Sequence, residues 1–355
     1  MLRIVLVVSA VFVGVPAYSF AADEFPTMTS LDEVDADFAY QGEYTGTITT
    51  APSRWESVGL QVVALGDGQF SAMLHSGGLP GAGFNRRENP KYTGSLEGGR
   101  VVFSSYPTRI VVDGYEAIVT DDRFPNFEQG RLTKTQRQSP TMGMRPPHNA
   151  TVLFDGTNTD HFVGGKITPD GLLIEGAELK DLYSNFSLHA EFRLPYMPHA
   201  RDQARGNSGL YLLSRYEVQI LDSFGLDPVY NNCGALYKQR PADLNMCLPP
   251  LTWQTYDIDF AAPKFDANGE KIQNARITVR LNGVPVHNDV EITSKTGAGK
   301  PEGPEPLPIR IQDHRNPVRF RNMWIVDYGD HAPPKSSPGG GWGTDPCECI
   351  VTICD

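Results

Sequence analysis

Gly206-Asn207-Ser208-Gly209-Leu210-Tyr211-Leu212-Leu213-Ser214-Arg215-Tyr216-Glu217-Val218-Gln219-Ile220-Leu221-Asp222 alternates in its second half. Tyr216, Val218 and Ile220 fall on one side and Arg215, Glu217 and Gln219 on the other, the period of a strand with one face in a core and one face wet. Asn207, Ser208 and Gly209 are turn formers, so the stretch predicts two short strands with a tight bend or bulge between them. Farther along, Pro308-Ile309-Arg310-Ile311-Gln312-Asp313-His314 repeats the pattern, with Ile309 and Ile311 opposed to Arg310, Gln312 and His314. If the two strands share a sheet, Glu217, Gln219, Gln312 and His314 line one polar floor. The strand at 186–194 is expected to add His189, Glu191 and Arg193 to that floor, because they alternate with Leu188, Ala190, Phe192 and Leu194.

Working outward, the chain predicts an all-β protein in two parts. Short strands at 44–50, 60–64, 69–74, 100–104, 110–112, 116–120 and 130–134 make residues 38–135 a small antiparallel β domain. Residues 136–150, with Ser139-Pro140 and Pro146-Pro147, read as a linker that lets the following domain fold alone from near Arg145. Residues 151–330 are long enough for a real core, and their many strands predict a two-sheet jelly roll. The Gly/Pro/Cys-containing tail at 331–355 reads as loose. Glycine, at 35 residues, and proline, at 28, favour turns over long helices.

The first 21 residues have the order of a signal peptide: Arg3, an apolar run from Ile4 to Val15, then Ser19-Phe20-Ala21 for cleavage. A periplasmic or secreted location is therefore expected, with no membrane span, since no later run approaches the ~18 apolar residues a helix needs. A net charge of −11 argues against nucleic acid as partner and is compatible with a neutral glycan. Of five cysteines, Cys233 and Cys247 are a candidate disulfide, while Cys347, Cys349 and Cys354 crowd the tail. The oligomeric state is left open.

Glu217 and His314 are the leading proton-transfer candidates. A histidine where a strand enters a turn can exchange a proton near neutral pH. Glu217 and Asp222 do not make a glycosidase pair, because five residues of strand separate them by about 17 Å and such pairs need less than about 10 Å. A partner carboxylate must come from another strand, with Glu191 the candidate. Glu217, Asp222 and His314 are all metal-competent, so a divalent metal cofactor stays open, although no tight ligand spacing supports it.

Several segments together resemble the 3-keto-disaccharide hydrolase family, whose members are described as 3-keto-glucoside 1,2-lyases and 3-keto-2-hydroxyglucal hydratases. They are Gly206-Asn207-Ser208-Gly209-Leu210-Tyr211, Tyr216 through Ser223, Gly234-Ala235-Leu236-Tyr237, Trp253-Gln254-Thr255-Tyr256-Asp257, and Gln312 through Asn322. The resemblance implies a concanavalin-like jelly-roll sandwich and an oligosaccharide or glycoside substrate bearing a ketone at carbon 3. Arg315 stands where the family commonly has a glycine after the histidine. Together with the polar strand faces, the resemblance marks Glu191, Arg193, Asn207, Gln219, Asp222, Tyr237, Lys238, Gln312 and Arg319 as expected substrate contacts. Arg193, Lys238 or Arg319 is expected to hold negative charge. A non-catalytic carbohydrate-binding module and an ordinary glycoside hydrolase are the rival readings.

Overall fold

The computed structural model describes residues 25–51, 53–87, 89–124, 127–334 and 351–353. The leader-like segment and the three tail cysteines lie outside the described residues. Among the described residues there is no α-helix, only two short 3-10 turns at Ala36–Ala39 and Asp202–Ala204. None of their helices is long and apolar enough to cross a membrane.

Eight antiparallel strands form the first unit: Gly42–Ala51, Arg54–Gly66, Gln69–Ser76, Lys91–Glu97, Arg100–Ser105, Thr108–Val112, Glu116–Asp121 and Glu128–Arg137. Each pairs with the next, and the first pairs with the eighth from Glu43↔Thr135 to Ile48↔Gly130, which closes the sheet into a barrel and removes its edges. Only seven strands are legible in the sequence. The eighth, Lys91–Glu97, buries just Tyr92 fully and so carries almost no alternation to read. Tyr44, Leu60, Phe70, Phe103, Ile110 and Leu132 are among the side chains that fill the interior.

The second unit is a two-sheet β-sandwich of jelly-roll type. Its small sheet orders Phe162–Val163, Glu178–Leu179, Arg310–Ile311, Ser208–Leu212 and Tyr216–Ile220. The large sheet orders Leu173–Ile174, Arg319–Asp327, Phe186–Arg193, Trp253–Ala261, Ala275–Leu281 and Val284–Ile292, with Thr151–Phe154 beside Arg319–Asp327. Leu210, Leu212, Tyr216, Val218, Ile220 and Ile311 from the first meet Leu188, Ala190, Phe192, Tyr256, Ile258 and Val279 from the second in one core. The two strands of the opening stretch do share a sheet, but their bend falls at Leu213-Ser214. Both residues are left-handed (φ +49° and +51°), and Arg215 N–H closes the turn on Leu212 O at 3.0 Å. The turn formers Ser208 and Gly209 instead begin a strand.

The two units are joined by more than chain. Tyr196 of the second is fully buried in the barrel's apolar cluster, donates to Asp35 at 2.9 Å and meets Phe38 edge-on at 5.0 Å. Val63 of the barrel belongs in turn to the sandwich core. Arg205, ion-paired to Asp222 at 2.7 Å, reaches across to Ala64 O, and Arg201 reaches Leu65 O. Arg137 joins Glu43 and Pro80 O in a buried cluster with Gln61 and His75.

The expected linker at 136–150 is part of this packing. Ser139 and Thr141 are buried, with hydroxyl contacts to Thr255 and a Thr141 donation to Asp257 at 2.7 Å. Gly143 N–H donates to Glu191 at 2.6 Å, and Asn322 donates to Met144 O. The loop at 77–87 also serves the junction: Leu79 is buried, Phe84 packs on the sandwich core and Pro80 O takes the Arg137 bond.

Candidate active site

The small sheet has one face in the core and one face turned away from it, and on the second lie Glu217, Gln219, Tyr211, Gly209, Arg310 and Gln312. Register brings them together: Tyr211 is opposite Glu217 on one side and Arg310 on the other, while Gly209 is opposite Gln219. Gln312 N–H donates to Gly209 O at 2.9 Å, which puts its side chain next along the same face.

Glu217 is the centre of this group and only 2% exposed. Tyr211 Oη donates to its Oε2 at 2.7 Å. Gln219, with its amide turned so that nitrogen and not oxygen faces the acceptors, donates to Glu217 Oε1 at 3.0 Å and to Ser208 O at 3.1 Å. Two chain segments are fastened over the carboxylate. The run Gly234 to Tyr237 lies along the edge strand through Gln219 N–H to Ala235 O, Gly234 N–H to Gln219 O and Tyr237 N–H to Glu217 O. Thr296 bonds Arg215 O and accepts from Glu217 N–H. Arg215, holding Pro301 O and Glu305, fixes that second segment.

No side chain fits at two positions beside the acid: a Cβ on Gly209 would come within 2.6 Å of Glu217 Oε1, and one on Gly297 within 2.5 Å of the Tyr237 ring. Burial raises the Glu217 carboxyl to about 7, against the Tyr211 hydrogen bond and the charges of Arg310 and Lys238, which favour the carboxylate. At neutral pH it is thus both acid and base.

Asn207 lies on the same floor, donating to Gln203 O and within 3.3 Å of the Gln219 amide. Lys238 is exposed, its ammonium 5.3 Å from the Tyr237 ring centre. The structure therefore gathers Glu217, Gln219, Asn207, Tyr237, Lys238 and Gln312, and adds Tyr211 and Arg310. Tyr211 falls in the first of the two expected strands, but among the apolar residues Leu210, Leu212 and Leu213 nothing in the sequence shows that its hydroxyl faces Glu217. Arg310 is visible on the polar face of its strand, but nothing in the sequence shows that it lies across Tyr211 from an acid.

The other expected site residues make different contacts. His314 is exposed, two residues past Gln312, and its side chain makes no hydrogen bond among the described residues. Asp222, just past the end of the Tyr216–Ile220 strand, is paired with Arg205. Glu191, Arg193 and Arg319 belong to the large sheet, on the far side of the core from Glu217, so Glu191 is not its partner carboxylate. Arg319 pairs with Glu175 at 2.8 Å, and Arg193 lies 5.1 Å from the Trp253 ring centre. The alternation of strand 186–193 is correct; its sheet is what sequence could not supply.

That outer face of the large sheet holds a different network. His189 bonds Asp257 at 2.7 Å, lies 3.7 Å from Glu191 and stacks on Trp324 at 5.1 Å. Burial opposes its charge, but the bonds to Asp257 and Glu191 outweigh burial and raise it to about 9. Burial likewise pushes Glu191 up, and the bonds from His189, Asn322, Arg321 and Gly143 overcome this to bring it to about 2. The His189 contribution to stability is full below its unfolded value of 6.5 and is lost as pH rises through about 9. The Glu191 contribution is full above 4.5 and lost as pH falls through about 2. The stability gap between wild type and His189→Gln should therefore shrink between pH 6 and pH 9.5 in denaturant titrations. A gap that stays constant would show that His189 is not a charged tie.

A separate cleft of about 450 Å³ on the same outer face is lined by Asp259, Arg276, Thr278, Asp289 and Pro333 among others. Its charges are already matched, Arg276 with Asp289 and Glu291 and Asp259 with Arg280, so the chemistry stays with Glu217. Among the described residues no group of three or more His, Cys, Asp or Glu side chains is arranged to hold a metal ion. Cys233 and Cys247 are buried and free.

Residues 149–326 match the family described as the 3-keto-alpha-glucoside-1,2-lyase-like domain. Three solved structures from Parabacteroides distasonis ATCC 8503, described as candidate glycosyl hydrolases, are similar to parts of the chain. One is 30% identical, covering 51% of this chain and 84% of its own, with a TM-score of 0.47. The others are 18% and 24% identical, covering 51% and 50% of this chain and 94% and 98% of their own, with TM-scores of 0.38 and 0.35. No curated protein matches.

Proposed function

Because the chain belongs to the 3-keto-alpha-glucoside-1,2-lyase-like family and is a carbohydrate-active enzyme, we propose that it cleaves 3-keto-glycosides by elimination, with Glu217 as the base. The observation that carries this reading is the Glu217 carboxyl itself, buried, pushed up by that burial to about 7 and under the charges of Arg310 and Lys238. A ketone at carbon 3 acidifies the proton on carbon 2. Glu217 takes that proton, the bonding pair forms the carbon 2–carbon 3 double bond, and charge moves onto the ketone oxygen. When the ketone re-forms, the pair shifts to carbon 1–carbon 2 and the glycosidic oxygen leaves, taking back a proton. Water adding to the new double bond completes a net hydrolysis.

The site suits this chemistry better than direct glycoside hydrolysis. Hydrolysis needs a second carboxylate within about 10 Å, and the charges felt by Glu217 are both cations. An immobile binding module has no need of a carboxyl tuned to exchange protons. Export to the periplasm or exterior is part of the proposal, supported by the sequence of residues 1–21.

Incubating the protein with a 3-keto-disaccharide in heavy water should place deuterium on carbon 2 of recovered substrate or product, read by NMR. Cleavage without deuterium there would count against elimination. Calorimetric binding of the unoxidised disaccharide with no turnover of either sugar would favour a binding module.

A further inference from the structure

We propose that Arg310 and Gln312 are the pair that recognises the oxidised sugar: the Arg310 guanidinium donates to the ketone oxygen at carbon 3 and holds it as an enolate, while Gln312 accepts from a neighbouring hydroxyl. This rests on the keto-glycoside reading above and assigns the group that selects the ketone.

Arg310 differs from the buried cations of this protein. Arg137 is paired with Glu43, Arg205 with Asp222, Arg215 with Glu305 and Arg280 with Asp259. Arg310, half-buried, lies 4.5 Å from the Tyr211 ring centre, and its side chain makes no hydrogen bond or ion pair among the described residues; its Nε is buried without a partner. The Gln312 Oε1 is likewise buried and unpartnered. Buried polar groups are otherwise nearly always bonded, and one that is not calls for an explanation such as a functional role or an absent partner.

The two groups are two residues apart on one strand face, about 7 Å along the sheet, a span one pyranose ring can cover. Next to Gln312 lies Gly209, whose lack of a side chain lets the Glu217 carboxyl lie directly over the backbone beside the pair. The chemistry of the pair favours the ketone. A guanidinium has donors only and a ketone oxygen accepts only, whereas a hydroxyl in its place can accept as well but must find a separate acceptor for its own proton and gains no charge during the reaction. Negative charge that grows on that oxygen strengthens the contact, as a preorganised oxyanion site requires. The stacking on Tyr211, itself bonded to Glu217, fixes the distance between the charge-holding group and the base.

Binding and rate together test this. In the Glu217→Gln protein, which should bind without turnover, calorimetry compares methyl 3-keto-glucoside with methyl glucoside. A preference of tenfold or more for the ketone is expected, collapsing to less than threefold when Arg310→Ala is added and falling between the two with Arg310→Lys. With Glu217 intact, Arg310→Ala should lower kcat by about a hundred- to a thousand-fold and move the midpoint of the pH–rate profile above that of wild type, since a charge favouring the carboxylate is gone. If Arg310→Ala does not fold, the Arg310→Lys result decides, because it keeps the charge and loses the planar fork. An undiminished preference in folded Arg310 variants, or no binding of the keto sugar at all, overturns the assignment. Carbon 2 exchange by wild type separates the two claims: exchange with an Arg310-independent preference sinks this inference alone, and an Arg310-dependent preference without exchange sinks the elimination reading alone.

Discussion

Glu217→Gln should lower turnover of a 3-keto-glycoside by at least about a hundred- to ten-thousand-fold, the usual contribution of a positioned proton-transfer group, while the protein becomes more stable at neutral and higher pH. Both follow from one carboxyl. Its value is raised from 4.5 to about 7, with burial the largest cause. For a raised carboxyl the sign is definite: its stability contribution is full below pH 4.5 and is lost as pH rises through about 7. A neutral amide of the same shape avoids that loss, which for such a shift is about 3 kcal/mol. Melting curves of the two proteins should coincide near pH 4 and separate in favour of Glu217→Gln by pH 8. In the wild type, kcat/KM should rise through about pH 7 as the base ionises. Full activity in the amide variant would remove Glu217 from the chemistry, and a variant that is less stable at pH 8 would mean that its carboxylate is a structural tie.

A chain starting at Arg145 should fail to give a stable sandwich. Truncation there removes the Thr141 hydroxyl from Asp257 and the Gly143 N–H from Glu191, and strips the barrel from Tyr196, Arg201 and Arg205. Uncovering a large aromatic packed like Tyr196 costs about 3–5 kcal/mol when judged by truncation mutants, and each disturbed buried charge adds several more. A domain has only about 5–15 kcal/mol to lose. The shortened chain should be aggregated in sedimentation or lack a cooperative melt by circular dichroism above room temperature, whereas the full protein melts cooperatively. A monomeric, cooperatively melting fragment with full turnover would restore the independent domain that the proline-rich stretch suggests.

The sequence determined the class of fold by itself. Period-two alternation in Tyr216–Ile220 and Phe186–Arg193 is a local property, set by opposite faces of one backbone, so core and wet positions were readable without knowing any partner. It also singled out Glu217, Gln219 and Gln312, because one face of a strand is written in its own residues. What it could not contain is which sheet a strand joins. His189, Glu191 and Arg193 have the same alternation as Glu217 and Gln219, yet the sandwich core lies between them, and pairing partners such as Arg321 and Asp257 come from strands distant in the chain. The same holds for residues 136–150, whose prolines read as a tether until the acceptors on Asp257 and Glu191 are in place. Only tertiary structure sets Tyr211 and Arg310 against Glu217 and takes the carboxyl out of water, and desolvation by surrounding segments is what turns an ordinary glutamate into a base for neutral pH.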